Sequence, residues 1–114
     1  MKRDITLFLR DIFEAIQLIE DYCRGISRED FEHDKKLQDA VIRRIEIIGE
    51  AAKHVPESLR KKYPNVPWQK IAGVRDVMIH GYFSVLLERV WNILHEDLPR
   101  LKAEILKILE KETA

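Results

Sequence analysis

The sequence predicts an all-α protein, an up-and-down bundle of four main helices joined by short helical turns. Three observations carry that expectation. Apolar residues recur at spacings of three and four nearly from end to end, stop and cap signals fall between those stretches, and no run alternates with the period of two that a strand requires.

The first helix is expected over residues about 3–24, where Ile5, Phe8, Ile12, Ala15, Ile16, Ile19 and Tyr22 write one apolar stripe and Gly25 supplies the stop. Ser27 and Asp30 form a capping-box pair that opens a short turn. Asp34 is placed to cap a second long helix carrying Leu37, Val41, Ile45, Ile48, Ala52 and Val55, which Pro56 closes near His54. A short helix at 57–62 follows. Because a proline drives its predecessor away from helical geometry, residues 63–67 read as an extended connector, and Pro67 suits the first turn of a third helix over about 68–80 that Gly81 terminates.

The last helix is expected to begin near Ser84 or Val85 and to carry Leu87, Trp91, Leu94, Leu98, Leu101, Ile105 and Ile108 as a seam. Pro99 interrupts it, which predicts either a kink or a restart capped by Asp97. Gly49 and Gly73 fall inside expected helices, where glycine costs about 1 kcal/mol relative to alanine, so close approach of a neighbouring helix is the expected reason for both. Trp68 and Trp91 read as core or interface anchors.

At 114 residues and 46% hydrophobic, the chain suits one domain spanning 1–114 with its own core. Nothing resembles a signal peptide or a membrane span, and the lone Cys23 has no internal partner for a disulfide, so a cytoplasmic setting is expected. The net charge of zero is uneven. Residues 35–75 hold ten Lys/Arg against four Asp/Glu, an excess of +6 that the remainder balances with −6. A basic middle of this kind either is a solvated helix surface or attracts a polyanion such as RNA through release of counterions.

The chemistry concentrates at residues 75–82, RDVMIHGY. His80 titrates near neutrality and can take a proton from a ribose 2′-hydroxyl or give one to a leaving 5′-oxygen. Arg75 offers a permanently charged planar fork for a phosphodiester and for the charge that develops on it during attack. Together they suffice for RNA cleavage with no metal and no cofactor, since the nucleophile belongs to the substrate. Asp76 is placed to orient Arg75 or a second copy's His80, and Tyr82 offers a hydroxyl for phosphate binding or covalent modification. Residues five apart on a helix point about 140° from each other, so Arg75 and His80 converge only if the helix end unwinds or if a second copy contributes, which makes a dimer-interface site attractive. The same residues also suit a plain helix end, with His80 at the negative pole of the dipole and Tyr82 packed back past Gly81. Glu50 is placed to pair with Arg75 across the bundle, as a structural ion pair before a catalytic acid, and His33, His54 and His95 lack the paired spacing of metal ligands.

Arg75-x4-His80-x-Tyr82 resembles the R-x4-6-H motif of HEPN domains, in the R-x4-H-x-Y form of HepT-like toxins that pair with minimal nucleotidyltransferase antitoxins. The resemblance extends to Asp39 through Arg43, Ile47 through Lys53, Pro67-Trp68, Ile71 through Gly73, His80 through Phe83 and Asp97 through Pro99. It implies a homodimeric helical bundle, a HEPN-like domain over 1–114, that cleaves RNA without metal, with Arg75 and His80 as catalytic residues. It also implies AMP transfer from the antitoxin to Tyr82. The residue after the Arg, often Asn in the family, is Asp76 here, and an acid at that position both orients the Arg and repels RNA phosphate. A catalytically silent subunit that binds a nucleotide or the partner nucleotidyltransferase is the main alternative, and a dimerisation module built on the last helix is a third.

Overall fold

The computed structural model describes residues 5–74 and 83–113, and every regular element within them is helical. In chain order these are α1 (Ile5–Cys23), α2 (Arg28–His33), α3 (Lys35–Lys53), α4 (Glu57–Lys62), α5 (Trp68–Ala72), α6 (Phe83–Asn92) and, beyond a π-helical turn at Ile93–Asp97, α7 (Leu98–Glu112). The all-α expectation holds, and α1, α3 and the α6–α7 rod are its long members.

α1 packs along α3 on one side and against α7 on the other. Its buried face is Leu9, Ile12, Ala15, Ile16 and Ile19, none more than 2% exposed. The expected stripe is therefore rotated slightly: Leu9 points into the core, Phe8 sits at its rim, and Tyr22 is exposed. With apolar residues at both 8 and 9, spacing alone does not choose between them; the position of the flanking helices does. Gly25, at φ +73°, adopts the left-handed geometry that ends α1, a conformation disfavoured for residues with a β-carbon.

The two local caps form as expected. Ser27 and Asp30 exchange side-chain-to-backbone hydrogen bonds, and Asp34 Oδ1 accepts the Leu37 amide at 3.0 Å. Behind them Gln38, 2% exposed, donates through Nε2 to the Phe31 carbonyl at 2.8 Å and the Glu32 carbonyl at 3.1 Å, so the end of α2 is satisfied from inside the core.

Three expectations need correction. Residues 63–67 form a compact turn, not an extended connector: the Val66 amide donates to the Tyr63 carbonyl, and the Trp68 amide to Val66 at 2.8 Å across Pro67 (φ −78°, ψ 69°), an inverse γ-turn. Burial of Val66 and Trp68 draws this loop onto the core, and Pro67 ends as the N-cap of α5 and not as its first helical residue.

The helix expected over 68–80 is interrupted at Gly73, which caps α5 by donating to Gln69, before helical geometry resumes at Val74. A β-carbon on Gly73 would meet only carbonyls of its own preceding turn, Gln69 O at 3.4 Å and Lys70 O at 3.7 Å. Close approach of another helix accounts for Gly49 and not for Gly73.

Of the kink and the capped restart expected at Pro99, the capped restart does not form, and a π-helical turn leads into α7 instead. Asp97 stays helical and makes no side-chain cap, while the Leu98 amide reaches five residues back to Ile93. Proline lacks an amide hydrogen and crowds the carbonyl four residues earlier; the widened π turn absorbs both demands and lets Leu94, Leu98, Leu101, Ile105 and Ile108 remain buried in one line.

Candidate nucleic-acid and catalytic site

Gly49 lies buried in α3 where the chain leaving α5 crosses it. A β-carbon there would come to 3.2 Å from both the Ile71 carbonyl oxygen and Val74 Cγ1. The missing side chain lets the end of α5 press against α3 and fixes the point from which the chain continues to Arg75. Arg75, Asp76, His80 and Tyr82 themselves lie outside the described residues, as do the Gly81 stop and the expected Glu50–Arg75 pair. What the structure describes is the frame that delivers them.

Two concavities flank that frame. The first, about 360 Å³, opens between α1 and α3 and is lined by Phe8, Asp11, Arg43, Glu46, Glu50 and His54 among others. Phe8 and His54 rings lie 5.4 Å apart between centroids, and His54 Nε2 is 3.5 Å from Glu50 Oε1. Among the described residues its lining holds three carboxylates, one arginine and one histidine, and so no excess of cations that would draw phosphate.

The second is an open groove of about 1020 Å³ formed where the end of α3, α4 and the start of α5 converge. Lys53, Arg60, Lys61 and Lys70 line it, with Glu57 as the opposing acid. Val55 and Trp68 are buried behind it, and Pro64 and Pro67 shape one wall. Trp68 is fixed by its indole nitrogen, which donates to the Tyr63 carbonyl at 3.0 Å.

Arg60 holds this corner together. Its Nε donates to the Val55 carbonyl at 3.0 Å and its Nη2 to Ala52 at 2.6 Å and Lys53 at 3.3 Å, so a cation from α4 satisfies the negative end of α3. Sequence reasoning missed this role. A basic residue a few positions past a proline-stopped helix is the only hint the chain offers, and it points to no partner.

Among the described residues no group of His, Cys, Asp and Glu is arranged to hold a metal ion. His33 Nδ1 and His95 Nδ1 each bond a carbonyl of their own helix, at 2.8 and 3.1 Å. Trp91 packs between Phe31 and His95, and Trp68 is 5% exposed, which places both tryptophans in anchoring roles. Partial burial raises the Cys23 thiol above its usual range. No helix of the described residues is long and apolar enough to cross a membrane.

Fold and sequence together define a helical protein of a ribonuclease class: the model of the family described as ribonuclease HepT-like matches residues 12–108. The chain belongs to that family, and the resemblance read from its motifs is borne out. It is 47% identical over 108 residues to a Thermococcus cleftensis protein named as a probable ribonuclease HepT, a match covering 95% of this chain and 98% of that one. It is 49% identical over 111 residues to a Methanocaldococcus jannaschii protein whose name joins gamma-glutamylcyclotransferase to a provisional RNase assignment. That match takes in 97% of this chain but 50% of the relative, so the chain spans half of that protein's length. A Caldanaerobacter subterraneus protein, also provisionally named an RNase, is 40% identical over 105 residues, covering 92% of this chain and 94% of its own. No solved structure matches.

Proposed function

We propose that residues 1–114 form a single HEPN-like domain that acts as a metal-independent endoribonuclease, the toxin of a toxin–antitoxin pair working in the cytoplasm as a homodimer. The observation that carries this reading is the family match across residues 12–108, which encloses Arg75-x4-His80-x-Tyr82. The Gly49–Val74 contact supports it by anchoring the chain immediately before Arg75.

In this reading the ribose 2′-oxygen attacks the adjacent phosphorus, the bond from phosphorus to the 5′-oxygen breaks, and the products are a 2′,3′-cyclic phosphate and a free 5′-hydroxyl. Arg75 holds the phosphodiester and stabilises its added negative charge. His80 accepts the 2′-hydroxyl proton, and His80 of the partner subunit donates one to the departing 5′-oxygen; exchange with solvent then restores both imidazoles. The 140° offset of Arg75 from His80 along a helix favours two copies facing one phosphate. Asp76 orients the guanidinium.

Control is by modification. A nucleotidyltransferase antitoxin transfers AMP from ATP to the Tyr82 hydroxyl, forming a phosphodiester to the phenol oxygen and releasing pyrophosphate. The added phosphate then occupies, with like charge, the space that RNA phosphate requires.

The test is expression of the chain alone, with wild-type, Arg75→Ala and His80→Ala forms, followed by analysis of RNA ends in EDTA. Cyclic phosphate ends produced by the wild type and abolished by either change support the nuclease. Intact RNA with a folded, unmodified wild-type dimer overturns it in favour of a silent binding subunit.

A further inference from the structure

We infer that the basic groove at the junction of α3, α4 and α5 is a track for the single-stranded RNA that flanks the scissile phosphate, with Lys53, Lys61 and Lys70 each meeting a backbone phosphate. The inference rests on the ribonuclease reading and adds to it a substrate-binding surface distinct from the Arg75–Tyr82 motif.

Position is the first argument. Lys53 is four residues beyond Gly49 on α3, and Lys70 is four residues before Val74. Lys53 therefore stands about one helical turn, roughly 5.4 Å of rise, from the place where Val74 seats on Gly49, and Lys70 belongs to α5, whose end presses on that same point. A strand whose reacting phosphate lies at Arg75 has its neighbouring phosphates within reach of this groove.

Charge is the second. Four cations face one carboxylate in the groove, and that carboxylate, Glu57, is 3.5 Å from Lys61 in a pair whose members are each more than three-quarters exposed. An ion pair so open to water is weak, so exchanging it for a phosphate costs little. The concavity between α1 and α3 shows no such excess among the described residues, where Asp11, Glu46 and Glu50 stand with Arg43 and His54.

Rigidity is the third. Arg60 is tied to three backbone carbonyls and Trp68 to a fourth, and prolines 64 and 67 set the wall, so the lysines project from a surface already in place. A single strand fits the chemistry because the 2′-oxygen must swing into line with the departing 5′-oxygen, which A-form pairing prevents.

The experiment uses the full chain carrying His80→Ala, so that RNA is bound without being consumed, and a fluorescent 20-nucleotide single-stranded RNA titrated between 50 and 200 mM salt in EDTA. It is compared with the same protein carrying Lys53→Ala, Lys61→Ala and Lys70→Ala together. Each lost phosphate contact lowers the slope of log affinity against log salt by about 0.7, so the slope should fall by about 2, and the parent should lose roughly twentyfold more affinity than the variant over that range. A control pair, Lys35→Ala with Lys36→Ala, removes cations from the opposite end of α3, about 27 Å away, and should leave the slope unchanged. No measurable binding, equal slopes, or an equal loss per charge in the control overturns the groove. Cleavage is scored separately with His80 restored. A groove effect without cleavage overturns the nuclease alone, and cleavage without a groove effect overturns the track alone.

Discussion

Gly49 and Val74 meet at the limit of van der Waals packing: a β-carbon on Gly49 would come to 3.2 Å from Val74 Cγ1, and equally close to the Ile71 carbonyl oxygen. Val74 can shift its methyl by a few tenths of an ångström, but the carbonyl belongs to the α5 backbone and moves only if the helix moves. The contact is thus a gauge of how α5, and the chain that follows it, is held against α3.

Gly49→Ala sets two effects against each other. Alanine gains about 1 kcal/mol in a helix interior, whereas overpacking a tight contact costs about 1–3 kcal/mol. The expected net is a loss of about 1 kcal/mol in urea unfolding. RNA cleavage should fall by about tenfold or more, since a displaced α5 carries Arg75 with it. A variant that is more stable and fully active would show that the close approach has no part in setting the site.

Gln38→Leu keeps the volume of a fully buried side chain and removes both of its donors, leaving the Phe31 and Glu32 carbonyls without their partner from α3. Stranding a buried acceptor costs about 1–3 kcal/mol, and because the Phe31 carbonyl keeps the Asp34 amide at 3.4 Å the expected loss is about 1 kcal/mol. Urea denaturation should register that loss with RNA cleavage by the remaining folded protein unchanged, because α2 lies on the far side of α3 in sequence from α5.

How much of this was legible depended on distance along the chain. Ser27 with Asp30, Asp34 with Leu37 and the Gly25 stop are settled within four residues, and all three read correctly. The choice of Leu9 over Phe8, the π turn ahead of Pro99, and the bond from Tyr63 to Glu112, forty-nine residues apart, are decided by packing that spacing does not encode. The same holds for the site. Arg75, His80 and Tyr82 stood out by residue type and interval, and the lysines of residues 35–75 stood out as an excess of charge. Lys53, Lys61 and Lys70 became one surface only once α3, α4 and α5 had converged.

Arg60→Met retains an aliphatic stem and removes three hydrogen bonds from a cation to carbonyls at the end of α3. Charge-assisted bonds of this kind are worth about 1.5–3 kcal/mol, and the three act as one group. The expected result is a loss of about 2 kcal/mol in chemical denaturation. Arg60→Lys should recover only part of it, since an ammonium cannot span the three oxygens as the planar fork does. Full recovery by lysine would mean that charge near the helix end, and not the fork geometry, is what matters.

The Glu112 carboxylate joins the last turn of α7 to the end of α4, accepting from Tyr63 Oη at 2.5 Å and from Lys62 Nζ at 2.8 Å. The bond from Lys62, then that from Tyr63, holds the Glu112 carboxyl below its usual range, while the bond to Glu112 raises both the Tyr63 phenol and the Lys62 ammonium above theirs. A carboxyl whose folded value is depressed contributes stability in full above its unfolded value, about 4.3, and loses it as pH falls through the folded one. Raised groups behave oppositely: Tyr63 and Lys62 contribute in full below their unfolded values, about 10 and 10.4, and lose it as pH climbs through the folded ones. Glu112→Gln abolishes the acid-side titration and the attraction for Lys62. Thermal midpoints of wild type and variant should therefore differ most between about pH 5 and 9, in favour of wild type, and converge toward either extreme. A difference that stays constant down to pH 3 would mean that the charge on Glu112 has no part in tying α7 to α4.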